Sequence, residues 1–115
     1  MANTLKSVFK ISTGTTELIP LTVPTSATTT YTIFSIVLCN RDTSNHTFNL
    51  YISDMAPNHI GDNAPLYLYQ TTSIPSLATF IHNDKLVMGN EERLVLTTTG
   101  TTNINIHISY MEHTA

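Results

Sequence analysis

Residues 94–112 read LVLTTTGTTNINIHISYME. From Ile104 onward every second residue is large and apolar: Ile104, Ile106, Ile108 and Tyr110. A period of two is the mark of a strand with one buried face, and no helix can sort these residues to one side. The residues between them, Asn103, Asn105, His107 and Ser109, form an outward row that is polar yet uncharged. One buried and one open face is the pattern of an antiparallel sheet.

The same grammar extends along the chain. HTFNLYIS (46–53) alternates with Phe48, Leu50 and Ile52 inward and Thr47, Asn49 and Tyr51 outward. TTTYTIFSIVLCN (28–40) is apolar on both faces from Ile33 to Cys39, which predicts a central strand covered on both sides. KSVFKIS (6–12) is short and mixed, and Pro20 demotes TELIPLTV (16–23) to an edge. PLYLYQT and SIPSLATFIH are two further extended segments. KLVM, GNEE and RLVL (85–96) read as a hairpin around a Gly-Asn loop, and NRDTSN (40–45) as a loop with Asx-turn chemistry. These segments amount to about eight short strands at the spacing of a two-sheet protein. The expected fold is all-β, an antiparallel β-sandwich forming one domain over residues 1–115.

Composition narrows the function. Of the 115 residues 41% are hydrophobic and only 11% charged, against about 25% in ordinary soluble proteins. Thr, Ser and Asn fill the positions that Lys and Glu usually occupy. The net charge of −3 and the scattered Lys6, Lys10, Arg41, Lys85 and Arg93 argue against a nucleic-acid partner, because phosphate binding needs clustered cations. No apolar run approaches the ~18 residues of a membrane span, so no membrane partner is expected. MANTLKSVFKIST lacks the apolar core of a signal peptide, which points to synthesis in a cytoplasm. Cys39 is the single cysteine, and folding is expected without an intrachain disulfide.

No enzyme is expected. There is no nucleophile elbow, the four glycines stand singly, and Cys39 lies within the most buried-looking strand. Asp54, His59, Asp62, His82 and Asp84 are the metal-capable groups, but their spacing is not that of a calcium loop, and a zinc site would need the fold to bring two or three of them together. Neither metal nor cofactor is expected. Two candidate surfaces remain. Tyr67 and Tyr69, two apart in PLYLYQ, are predicted on one strand face as a stacking platform for a sugar, the reading of a small carbohydrate-binding module. The other is an assembly interface. The closing strand has no edge guard from Asn103 to Met111, and its row Asn103, Asn105, His107 and Ser109 offers hydrogen bonds without the cost of burying charge. The long loop DMAPNHIGDNAP adds Asn58, His59 and Asp62 to this expected interface.

The order of short motifs LKSV, TTTYTIFSIVLCN, SIPS, KLVM, GNEERLVLTTT and ISYME resembles a family of small tailed-bacteriophage virion proteins. Two features depart from it: GNEE stands where the family tends to have Gly-Asp, and DMAPNHIGDNAPLYLYQ is longer. The resemblance implies a β-sandwich structural subunit repeated by symmetry, located in the virion and in the host cytoplasm during assembly. Its partners are then copies of itself, as a trimer or hexamer, and other virion proteins. The tail, neck or baseplate is the favoured place, with a capsid decoration (cement) protein as the alternative. The resemblance carries over no site residues.

Overall fold

The computed structural model describes residues 2–11, 17–24, 28–54, 66–89, 92–98 and 103–114. They form β1 (Ala2–Ile11), β2 (Glu17–Thr22), β3 (Thr29–Asn40), β4 (His46–Asp54), β5 (Leu66–Ile74), β6 (Thr79–His82), β7 (Leu86–Met88), β8 (Glu92–Thr98) and β9 (Ile104–Thr114). The fold is an all-β sandwich. One sheet runs β1-β9-β3, with β6 and β7 lying end to end along the far side of β3, and the other runs β2-β8-β4-β5. Every strand pairing in both sheets is antiparallel.

The alternation reads correctly where it is strict. Ile104, Ile106, Ile108 and Tyr110 of β9 point into the core with Phe48, Leu50 and Ile52 of β4. Pro20 lies in the edge strand β2, at a register shift between Leu18 and Leu21, where its missing N–H costs no ladder bond. β3 is central in its sheet, and a bulge between Ile33 and Ser35 brings both Ile33 and Ile36 inward although they are three apart. Its second face, however, is only half-buried at Val37 and Cys39, so the expected two-sided cover is present on one side alone.

The KLVM–RLVL hairpin does not form. β7 pairs with β3 and β8 with β4 and β2, so GNEE carries the chain from one sheet to the other. Met88 of β7 and Leu94 and Leu96 of β8 enter one shared core from opposite sheets, and pairing with distant strands wins over pairing with the nearest one. The Glu92 N–H donates to the Gly89 carbonyl, which ties the start of β8 to the end of β7.

Two clusters join the sheets or their edges. Phe48 and Tyr69 from one sheet meet Phe80 and His82 from the other, with Tyr69–Phe80 centroids at 4.7 Å and Phe48–Phe80 at 5.1 Å. The Tyr69 hydroxyl and His82 Nδ1 are 2.8 Å apart. At the opposite end of the large sheet the Tyr31 and Tyr110 rings sit 4.9 Å apart, beside the Lys6–Glu112 ion pair at 2.9 Å.

Burial, followed by the neighbouring Tyr110 and Glu112, pushes the Tyr31 phenol above its ordinary value. The hydrogen bond to Glu112 likewise raises Lys6. Both groups therefore keep their protons to higher pH in the folded chain than in the unfolded one. Stability is fully present below about pH 10 and falls as pH rises beyond it. Thermal melts from ~pH 8 to ~pH 11.5 should show this fall, and Tyr31→Phe should make it shallower. An unchanged slope in Tyr31→Phe assigns the fall to other groups.

Candidate interaction face

The register places one set of side chains on the outer face of the large sheet. Phe9 of β1 pairs with His107 of β9, which pairs with Val37 of β3, which pairs with Ile81 of β6. A second row runs Ile11, Asn105, Cys39 and Thr79, and a third Leu5, Met111, Thr32 and Val87. Ser7, Ser109 and Ser35 lie between them. Leu5, Phe9, Ile11, Ile81 and Val87 are exposed by 72%, 56%, 43%, 54% and 64%. None of these rows holds Asp, Glu, Lys or Arg. The described charges lie elsewhere. Lys6, Lys10 and Glu112 take the opposite alternation phase of β1 and β9, and Arg41, Asp42, Asp84 and Lys85 stand in loops.

The predicted interface residues fall out differently from one another. β9 is not an edge, because β1 and β3 flank it and use its backbone groups. Its unguarded sequence is explained by this: an interior strand needs no guard. His107 is exposed in the middle of the outer face, while Asn105 and Ser109 are half-buried there by their cross-strand neighbours. Asn103 belongs to a loop tie. Its N–H donates to Asp42 Oδ2 at 3.0 Å and its carbonyl accepts from the Arg41 N–H at 2.9 Å. Asn58, His59 and Asp62 lie outside the described residues.

Tyr67 and Tyr69 do not share a face. Tyr67 pairs with Tyr51 and Tyr69 with Leu50, so Leu68 is an extra residue that flips the phase between them. Tyr67 lies outward with its ring tilted against Tyr51 at 5.2 Å, and Tyr69 packs inward in the Phe48–Phe80 cluster. The expected two-ring platform is therefore absent from this strand. Tyr69→Ala should cost about 3 kcal/mol of stability, and Tyr67→Ala less than about 1 kcal/mol. Denaturant unfolding checks both, and equal effects would contradict the inward placement of Tyr69. Of the other metal-capable groups, His82 is engaged with Tyr69 and Asp84 is exposed.

Sequence reasoning missed Leu5, Phe9, Ile11, Ile81 and Val87. A signal was present in β1, where Leu5, Phe9 and Ile11 keep one phase while Lys6 and Lys10 keep the other. Ile81 and Val87 belong to strands too short for alternation to speak.

No protein-family model matches the chain, and no curated protein sequence does either. Solved structures do resemble it. One is a chain from the structure titled "Bacillus endospore appendages form a novel family of disulfide-linked pili", with a TM-score of 0.53 and 7% identity over 98% of this chain and 87% of that one. At that identity the likeness is one of fold.

Proposed function

We propose that this chain is a self-associating structural subunit, packing against copies of itself through the outer face of its large sheet. The observation that carries the reading is that face: five exposed large apolar side chains, with none of the four charged residue types among them. Two exposed apolar strips, on β1 and on β6 and β7, flank a neutral centre on β9 and β3. Exposed apolar surface marks an association site, and lack of charge at its centre is the composition of an interface core. β3 explains why the sequence is written this way. Its two apolar faces ask for cover on both sides, and a single chain covers one.

A second copy is the occupant that suits the surface. The face offers no cation to phosphates and no charge to a charged partner. Two neutral faces meet without stranding an ion. A protein of similar fold, by its title, builds pili, so this kind of sandwich is used in assemblies elsewhere. The motif order from LKSV to ISYME supports a tailed-bacteriophage virion as the assembly, in the tail, neck or baseplate, with capsid decoration as the alternative.

Light scattering across a wide concentration range tests the reading. A discrete trimer or hexamer is expected. A monomer at every concentration would overturn self-association and leave decoration of a different virion protein to be examined.

A further inference from the structure

We infer that β1 is an exchangeable strand, which in the assembled state pairs with β9 of a second copy in place of its own. The inference rests on the assembly reading above and adds the means by which copies are joined. From Asn3 to Ile11 only Val8 is half-buried, and every other side chain is exposed on whichever face it takes. No described side chain of β1 belongs to the buried core, and Val8 merely packs against it.

What holds β1 is almost wholly β9. Ten pairs run from Ala2↔Thr114 to Ile11↔Asn105 without a register shift. Lys6 reaches Glu112 at 2.9 Å, and Asn3 Oδ1 lies 2.8 Å from His113 Nδ1. All of these contacts lie between β1 and β9, so the same strand from another copy makes the same set. Exchange then conserves the ladder and the ion pair, which is why swapping an element is a low-cost route to association. It also leaves the core intact while β1 is away, because the core draws no buried side chain from it. The barrier is that of peeling one edge strand, a local opening rather than global unfolding.

Exchange leaves Leu5, Phe9 and Ile11 on the same outer-face positions they hold in their own chain. The gain is that it tethers copies to one another, which raises the effective concentration at which their outer faces meet. The occupant is a copy of this chain because the register is specific. Lys6 must meet the level of Glu112 on the inward phase, while Leu5 and Phe9 meet Met111 and His107 on the outward phase. A strand given by each copy to the next is a head-to-tail contact, which closes into a ring or continues as a filament.

Cross-linking between copies tests this. Val8 and Ile108 face each other in the ladder, and Ile108 is fully buried, so a copy stacked on the outer face has no access to it. In a Cys39→Ser background, Val8→Cys and Ile108→Cys are made in separate full-length chains, mixed at assembling concentration and oxidised. The double variant in one chain serves as the control that this pair can bond. A covalent dimer of the two single variants is expected. A control that bonds internally beside an assembled mixture that yields no mixed dimer overturns strand exchange while leaving self-association standing. A wild-type monomer at all concentrations overturns both. Thr4 and Glu112, also opposite and on the inward phase, provide the same test if cysteine at 108 prevents folding.

Discussion

Asn40→Leu should lower the stability of the chain by about 3 kcal/mol, the largest loss expected from any single polar side chain here. Asn40 ends β3 fully buried, and its amide is saturated. Its Nδ2 donates to the carbonyls of Ser44 (2.9 Å), Ile74 (3.1 Å) and Pro75 (3.2 Å). Its Oδ1 accepts from the Asp42 N–H at 2.9 Å, which closes the Asx turn foreseen in NRDTSN. Leu has nearly the same size and none of these partners. Four backbone groups would lose this partner at once, the Pro75 carbonyl keeping the Ala78 N–H, at roughly 1 kcal/mol or somewhat less each after partial access to water. The midpoint of thermal unfolding should drop by about 10–20 °C.

The effect should spread beyond one residue, because the same end of the sandwich is knitted by neighbours. Asp42 Oδ2 lies 2.7 Å from His46 Nε2 and also holds the Asn103 N–H, while Asn45 Oδ1 accepts from Ser76. Asn40→Asp keeps the shape but replaces a donor by an acceptor facing three carbonyls. It should be as damaging as Leu at neutral pH and less so in acid, where a protonated carboxyl can donate. Thermal melts of both variants check this. A loss below about 1 kcal/mol in Asn40→Leu would mean that the loop carbonyls find other partners readily.

His107→Glu should weaken self-association by about a hundredfold while leaving the melting temperature within about 2 °C of wild type. His107 is exposed in the single chain, so a carboxylate there stays hydrated and costs the fold little. Once the outer face is covered, the same carboxylate lies between Phe9 and Val37, with no cation on the face to pair with it. An unpaired charge in such a site costs several kcal/mol, and a hundredfold corresponds to roughly 3 kcal/mol. Arg41→Glu, at an exposed loop position off this face, is the control and should associate normally. Dilution monitored by light scattering measures both. Normal assembly of His107→Glu from an oligomeric wild type would move the interface off this sheet face. Asn105→Lys is a poorer probe, because Asn105 is already half-buried and its Oδ1 has no access to water.

The candidate face was partly legible before the fold was known. His107, Asn105 and Ser109 were identified by their missing charge, and that part of the reading carried through to an outer surface. The apolar members were not, because Leu5, Phe9, Ile81 and Val87 come from three separate strands and become one patch only when β9 and β3 lie between them. The Tyr67–Tyr69 pair shows the opposite failure. Strict alternation places them together, and one inserted residue at Leu68 parts them. A bulge answers to its partner strand. At a second shift in the same strand pair, between Phe48 and Leu50, Asn49 Oδ1 accepts from the Thr71 N–H at 2.6 Å, with Thr71 at φ 48°, and no pattern within PLYLYQTT announces either shift.

What the sequence determined by itself was local. Alternation of period two made the strands and chose the inward faces of β4 and β9, Pro20 set β2 at an edge, and Asn40 made its turn. Each depends on residues within a few positions of one another, where sterics and a single hydrogen bond decide. Strand partnership was decided by the tertiary structure. β7 and β8 parted to opposite sheets, and β9 took an interior place between the first strand and the third, with β1 left as an edge strand that buries almost nothing. These choices join residues as far apart as Ala2 and Thr114, and they follow from which pairing closes the shared core, a quantity that no short stretch contains.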